Sequence, residues 1–171
     1  GTIFRIPKGI YAVGRLDLDS EGLLILANDK ALNHQLLNPE NEHARTYHVE
    51  VEGVPTTESI ISLSKGISIA LDGGSYLTRS AQVRVLEGYQ LPERVPAVNR
   101  IKHPITTWIE LILTEGKNRQ VRKMTAKVGH PTLRLVRVAI EDLALEPLAP
   151  GGIVMISKKV LYKKLNLSLQ G

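Results

Sequence analysis

Along residues 45–52, RTYHVEVE, polar and apolar positions alternate without a break. Tyr47, Val49 and Val51 fall on one face, and His48, Glu50 and Glu52 on the other. A period of two is that of a strand with one covered face, and Gly53 ends it. Residues 79–86 and 106–114 alternate in the same way, residues 132–140 read as another strand, and Ile10–Val13 looks extended. The run LLILA, Leu23–Ala27, is short and apolar throughout, which predicts a buried strand. Three segments have helical spacing instead. Lys30–Leu37 stops at Asn38-Pro39, and PTTESIISLSKG has Gly66 just past its end. In Asn118–Val128 the side chains of Val121, Met124 and Val128 make an apolar stripe, with Asn118 as the expected N-cap and Gly129 as the stop. EPLAPGG is a turn before a last apolar run, Ile153–Ile156, and Ser157 opens a short basic helix or tail.

Alternating strands interspersed with helices predict an α+β (mixed α/β) domain, with a largely antiparallel mixed sheet flanked by helices. Residues 1–171 are expected to form one domain, with no internal repeat and no low-complexity linker. Gly88–Pro104, with Pro92, Pro96 and Pro104, is a long irregular connection. Loops of that length inside a compact domain tend to be functional, and Arg94, Arg100 and Lys102 make this one a second candidate contact surface.

Composition narrows the class. The chain is 43% hydrophobic and 23% charged, as in soluble globular proteins. No apolar run approaches the roughly 20 residues a membrane helix needs, and no signal-peptide pattern opens the chain. Cysteine is absent, so disulfides and thiolate chemistry are excluded and a cytoplasmic location is expected. The net charge of +5 is unevenly placed: residues 1–90 carry 8 Lys and Arg against 11 Asp and Glu, residues 91–171 carry 14 against 6. Residues 117–140 hold Lys117, Arg119, Arg122, Lys123, Lys127, Arg134 and Arg137 with no acid at all. A solvated face normally mixes signs, so this run points to a polyanionic partner. An ordinary basic surface is the plainer alternative.

The acidic stretch VGRLDLDSEGLLILAND, residues 13–29, adds candidate chemistry. Asp17, Asp19, Glu21 and Gly22 imitate the start of a calcium loop, D-x-D-x-x-G. The twelfth position is Asn28 where a bidentate Glu is needed, the flanks read as strands, and Glu21 is long for its place, so calcium is set aside. What remains is Asp17 beside Arg15 on a loop between strands, either a surface ion pair or a reactive carboxylate. The helix starting at Asn118 bears on the choice. Arg119 and Arg122 lie three apart in its first turns, where the dipole disfavours cations. Such a break of a local rule marks a place where an anion compensates, be it a phosphate or Asp17. Both arginines pointing into water is the other reading.

Three segments together resemble the RsuA family of ribosomal RNA pseudouridine synthases: GRLDLDSEGLLILAND, RTYHVEVEG and LTEGKNRQVRKMTAKVGHPTLRLVRVAI, in that order from about Ile10 to about Gly152. The likeness is greatest to short bacterial members that modify large-subunit (23S) ribosomal RNA. The family usually has a strand with a Lys-Pro pair well before the first motif, whereas only 13 residues precede Gly14 here. The S4 RNA-binding domain of some members is not expected in these 171 residues. Arg45 stands where many relatives have Lys.

The resemblance implies the pseudouridine-synthase fold and an isomerisation of uridine that needs no cofactor or metal. It implies Asp17 as the essential carboxylate, whether as nucleophile or as base, and Arg122 as the arginine paired with it. Tyr47 is implied to pack on the target base, although its period-two partners make it a core residue too. Arg15 is implied to enter the RNA stack as the uridine leaves it. Leu133 is implied to line the base pocket, with plain core packing as its alternative. Asp19 and Glu21 are then turn residues. Arg119, Lys123, Lys127 and Arg134 are expected to contact the RNA, and the protein is expected to act as a monomer away from membranes. The competing class is a non-catalytic RNA-binding or ribosome-assembly module, which explains the charge but not Gly14-Arg15-Leu16-Asp17 together with Tyr47 and Arg122.

Overall fold

The computed structural model describes residues 5–169. Its strands are β1 (Tyr11–Val13), β2 (Glu21–Gly22), β3 (Ile25–Ala27), β4 (Arg45–Glu52), β5 (Ser68–Leu71), β6 (Gly74–Leu77), β7 (Gln82–Val85), β8 (Thr106–Leu113), β9 (Thr132–Ile140) and β10 (Leu143–Ala144). Its helices are α1 (Lys30–Leu37), α2 (Thr57–Lys65), α3 (Gln120–Lys127) and α4 (Lys158–Lys164). The main sheet runs β10-β9-β4-β8-β7, antiparallel throughout, with β2 added parallel to β9. Two hairpins, β1-β3 and β5-β6, stand apart from it. The mixed, largely antiparallel α+β architecture read from the sequence is the one observed.

Strand β4 is central, paired with β8 on one side and β9 on the other. Its apolar face carries Val49 and Val51, both fully buried, against Ile109 and Leu111 of β8, Leu63 of α2 and Met124 of α3. Fully burying one such side chain contributes about 1.5–3 kcal/mol, so this cluster is what holds the two helices on the sheet. The polar face is covered too. Glu50 is 1% exposed and ion-paired to Arg100 of the long loop, which folds over it. A second cluster joins Val13, Ile25, Leu32, Leu36 and Ile140 to Leu161 and Tyr162 of the last helix and to Leu165 at its end.

Local chemistry explains most element ends. Asp29 caps α1 by accepting from the Leu32 amide, and Thr56 caps α2 by accepting from Ser59. The expectation for α3 is corrected at its start. Asn118 is not the cap: the helix begins at Gln120, and the cap position is Arg119, left-handed at φ 52° with no side-chain cap bond. The preceding turn is closed from within, where Gln120 Oε1 accepts from the Lys117 amide at 2.9 Å and Gln120 Nε2 donates to buried Glu115 at 2.6 Å. The apolar run Ile153–Ile156 forms no strand, and Met155 is 97% exposed. The run Leu23–Ala27 is shorter as a strand than expected and only half covered, since Leu24 and Leu26 face outward.

Candidate active site

One cleft of about 590 Å³ opens where the three sequence segments meet. The 14–20 loop forms one wall with Arg15, Leu16, Asp17 and Ser20; Arg45 and Tyr47 of β4 and Leu135 and Arg137 of β9 form the floor. The turn Glu115–Gln120 closes the far side. The loop is shaped by two glycines. Gly14 has φ +76° and Gly22 φ +106°, and a Cβ on Gly22 would sit 2.3 Å from the Arg137 carbonyl oxygen. That contact allows β2 to lie flush on β9, which brings the loop to the sheet.

Asp17 is about one-third exposed at the cleft wall, and its carbonyl accepts from the Ser20 amide at 2.9 Å. Tyr47, half-buried, lines the same cleft and packs against the main core. Arg15 is exposed beside it. Leu18, between Asp17 and Asp19, projects fully into solvent.

The arginines are arranged differently from expectation. Arg122 does not pair with Asp17. Its Nη2 donates to the Asp19 carbonyl at 2.7 Å, and its Nε lies 3.4 Å from the Asp19 carboxylate. Arg119 makes the forked contact with Asp19, at 3.0 and 2.9 Å, and reaches Asp17 only at 3.6 Å. Asp19 is therefore the hub of the acidic turn, and the fork of Arg119 holds its carboxyl below the usual range. Burial pushes the Arg122 pKa below its ordinary value, opposed by the attraction of Asp19.

Arg134 is corrected as an RNA contact. It is 3% exposed, forked onto Glu21 at 3.1 and 2.8 Å, and donates to the Pro92 carbonyl at 3.0 Å. Leu133 is half-buried and does not line the cleft; Leu135, two residues on, does. Lys123 is half-buried and Lys127 exposed, and neither forms a salt bridge among the described residues.

Two residues without an expected role are central. Arg137, 5% exposed, donates from Nε and Nη2 to the Leu23 carbonyl at 2.9 and 2.7 Å, and from Nη1 to the Arg15 carbonyl at 3.4 Å. It thus ties both ends of the 15–23 segment to β9. Burial lowers its pKa, while the Tyr47 hydroxyl opposite it in the strand pair works the other way. Buried Glu115 accepts from the Tyr76 hydroxyl at 2.5 Å, the Arg79 amide at 2.9 Å and Gln120, fixing the turn that carries Arg119. No sequence pattern marks that arginine, because β9 is buried continuously from Arg134 to Arg137 and its register against β4 shifts beside Tyr47. Among the described residues no three His, Cys, Asp or Glu side chains gather as a metal site.

Residues 5–127 match the model of the RNA pseudouridylate synthase family. The chain belongs to that family. It is 53% identical over 148 residues to a ribosomal large subunit pseudouridine synthase E of Xanthomonas axonopodis pv. citri, covering 86% of this chain and 76% of the relative. It is 46% identical over 144 residues to the protein of the same name from Vibrio vulnificus, covering 84% of this chain and 60% of that relative. A crystal structure of a pseudouridylate synthase superposes with a TM-score of 0.75 at 25% identity, covering 94% of this chain and 63% of that one. The pseudouridine-synthase fold and isomerase activity expected from the three motifs are those of the family to which the chain belongs.

Proposed function

We propose that this chain isomerises a uridine of large-subunit ribosomal RNA to pseudouridine, with Asp17 as its essential carboxylate. The observation that carries the reading is the meeting of Asp17, Tyr47 and Arg137 in one cleft, formed by three segments far apart in sequence. The names of the two relatives support the large ribosomal subunit as the source of the RNA.

The reaction breaks the C1′–N1 bond, turns the uracil and joins C5 to C1′, and the C5 proton leaves. Atoms and electrons balance within the nucleotide, so an acid, a base and a pocket suffice. Asp17 acts at the sugar as an ionised carboxylate, attacking carbon or taking the 2′ proton. The Arg119 guanidinium lies 3.6 Å from one oxygen of that carboxylate. Tyr47 offers one ring face to the flipped uracil while the core holds the other side of the residue. Arg15, exposed at the rim, takes the vacated place in the stack. Arg119 and Lys127 at the surface and half-buried Lys123 meet phosphates, while Arg122 holds the turn that presents Asp17. The protein works as a monomer in the cytoplasm; among the described residues no helix is long and apolar enough to cross a membrane.

The test is a map of pseudouridines in ribosomal RNA from cells with and without the protein. The expected result is loss of one large-subunit pseudouridine in its absence, restored by the wild-type chain and not by Asp17→Asn. An unchanged map would overturn the assignment.

A further inference from the structure

The long loop between β7 and β8 is fixed from beneath at two successive residues. Arg134, itself forked onto Glu21, donates to the Pro92 carbonyl at 3.0 Å. Arg100, anchored on buried Glu50, pairs with Glu93 at 2.8 Å. The residue that follows is Arg94. Of the three cations on the loop, Arg100 is neutralised by Glu50 and Glu93, and exposed Lys102 lies in a turn closed by the Asn99 side chain. Arg94 is half-buried, yet among the described residues it has no ion pair, and its Nε is buried without a hydrogen bond. Arg122 shares the predicament: its Nε too is buried and unbonded, with the Asp19 carboxylate oxygen at 3.4 Å. Arg134 joins the two regions: its guanidinium holds Glu21, two residues past the Asp19 that Arg122 touches, and also Pro92, two residues before Arg94.

Like charges brought together, with a desolvated donor on each, are costly unless an acceptor arrives. The local acids do not balance them. Asp19 is already engaged by both Arg119 and Arg122, Asp17 lies 3.6 Å from Arg119, and no acid among the described residues pairs with Arg94. A guanidinium fork matches a phosphate closely and carries no information about base identity, which suits a backbone contact. Neither Arg94 nor Arg122 lines the cleft itself; Arg122 touches the Asp19 carbonyl and Ser20, beside Asp17.

We propose that Arg94, delivered by the pinned loop, forms with Arg122 a phosphate subsite for the RNA backbone flanking the target uridine. The subsite rests on the reading of this protein as an RNA-modifying enzyme. It gives the loop a function: the Arg134–Glu21 pair that steadies the acidic turn also sets the loop, so the phosphate grip and Asp17 share one frame.

The test measures RNA binding and C5 tritium release with a ribosomal RNA fragment, over a series of salt concentrations. Arg94→Ala is expected to weaken binding about tenfold at physiological salt. It should also make the slope of log K against log salt shallower by about one unit, the release of roughly one counterion. Saturating turnover should stay within about twofold of the parent. Arg94→Lys keeps the charge and should keep the slope, and it also guards against a loop that Ala merely loosens. Lys65→Ala, one charge fewer at the end of α2, should leave affinity unchanged. Parental affinity and slope for Arg94→Ala would overturn the subsite. So would lost turnover with an unchanged slope, since Arg94 would then act only through Arg122. A parent that releases no tritium would overturn the enzyme reading instead.

Discussion

At Asp19 a side chain read as a turn residue proves to organise two arginines. Its carboxylate takes the fork of Arg119, and its carbonyl takes Arg122. The two acids of Asp17-Leu18-Asp19 therefore divide the work: Asp19 is saturated with cations, which leaves Asp17 open to the cleft. Arg122→Ala is expected to lower turnover at least tenfold and to lower stability by about 1–3 kcal/mol, because the Asp19 carbonyl loses its donor. Asp19→Asn should lower turnover as well, by releasing the fork of Arg119. Measured turnover and thermal midpoints check both, and parental values for Arg122→Ala would remove it from the site. Sequence showed that these arginines sit where a helix disfavours cations and that an anion must answer. It could not say which acid answers, because Asp17 and Asp19 lie on a tight turn and either could be presented. Leu133 against Leu135 fails for a similar reason: β9 is bulged against β4 between Glu50 and Val51, and a shift of one residue exchanges the faces.

At the scale of elements, the last helix is clipped to the first through one side chain. Asp29 caps α1, accepts from the Tyr162 hydroxyl at 2.8 Å and pairs with Lys158 at 2.9 Å. Lys158 first, then the Leu32 amide and Tyr162, hold its pKa at about 2 against an ordinary 3.8. A carboxylate whose folded pKa is depressed contributes stability above its unfolded value and loses it as pH falls through the folded one. Asp29→Asn should therefore melt lower than the parent at neutral pH. The gap should narrow as pH drops from near 3.8 toward about 2. A gap independent of pH would show that the ion pair contributes nothing. Helices α1 and α2 and strand β4 were legible because one face of each is apolar at a fixed period. The β5-β6 hairpin passed unread although Asp72-Gly73 sits at its turn, since its strands are mostly exposed and carry little pattern. Ile153–Ile156 is apolar without being an element: four apolar residues in a row have no period, and no neighbouring strand takes them up.

For the whole molecule, the basic run 117–140 shows how linear charge and surface charge part company. Arg134 and Arg137 lie inside, one on Glu21 and one on backbone carbonyls, while Lys123 and Lys127 have no salt-bridge partner among the described residues. The sequence exposed the excess of cations; only the fold shows which of them lie inside. What the buried arginines hold together is the loop that presents Asp17, and the decisive measurement is made there. Tritium at C5 of uridine must be released when C5 joins C1′, so its release counts turnovers. Asp17→Asn preserves shape but cannot serve as nucleophile or base. It should bind ribosomal RNA as the parent does and release no tritium, while Asp72→Asn, in the distant β5-β6 turn, releases it at the parental rate. Parental tritium release from Asp17→Asn would contradict the account.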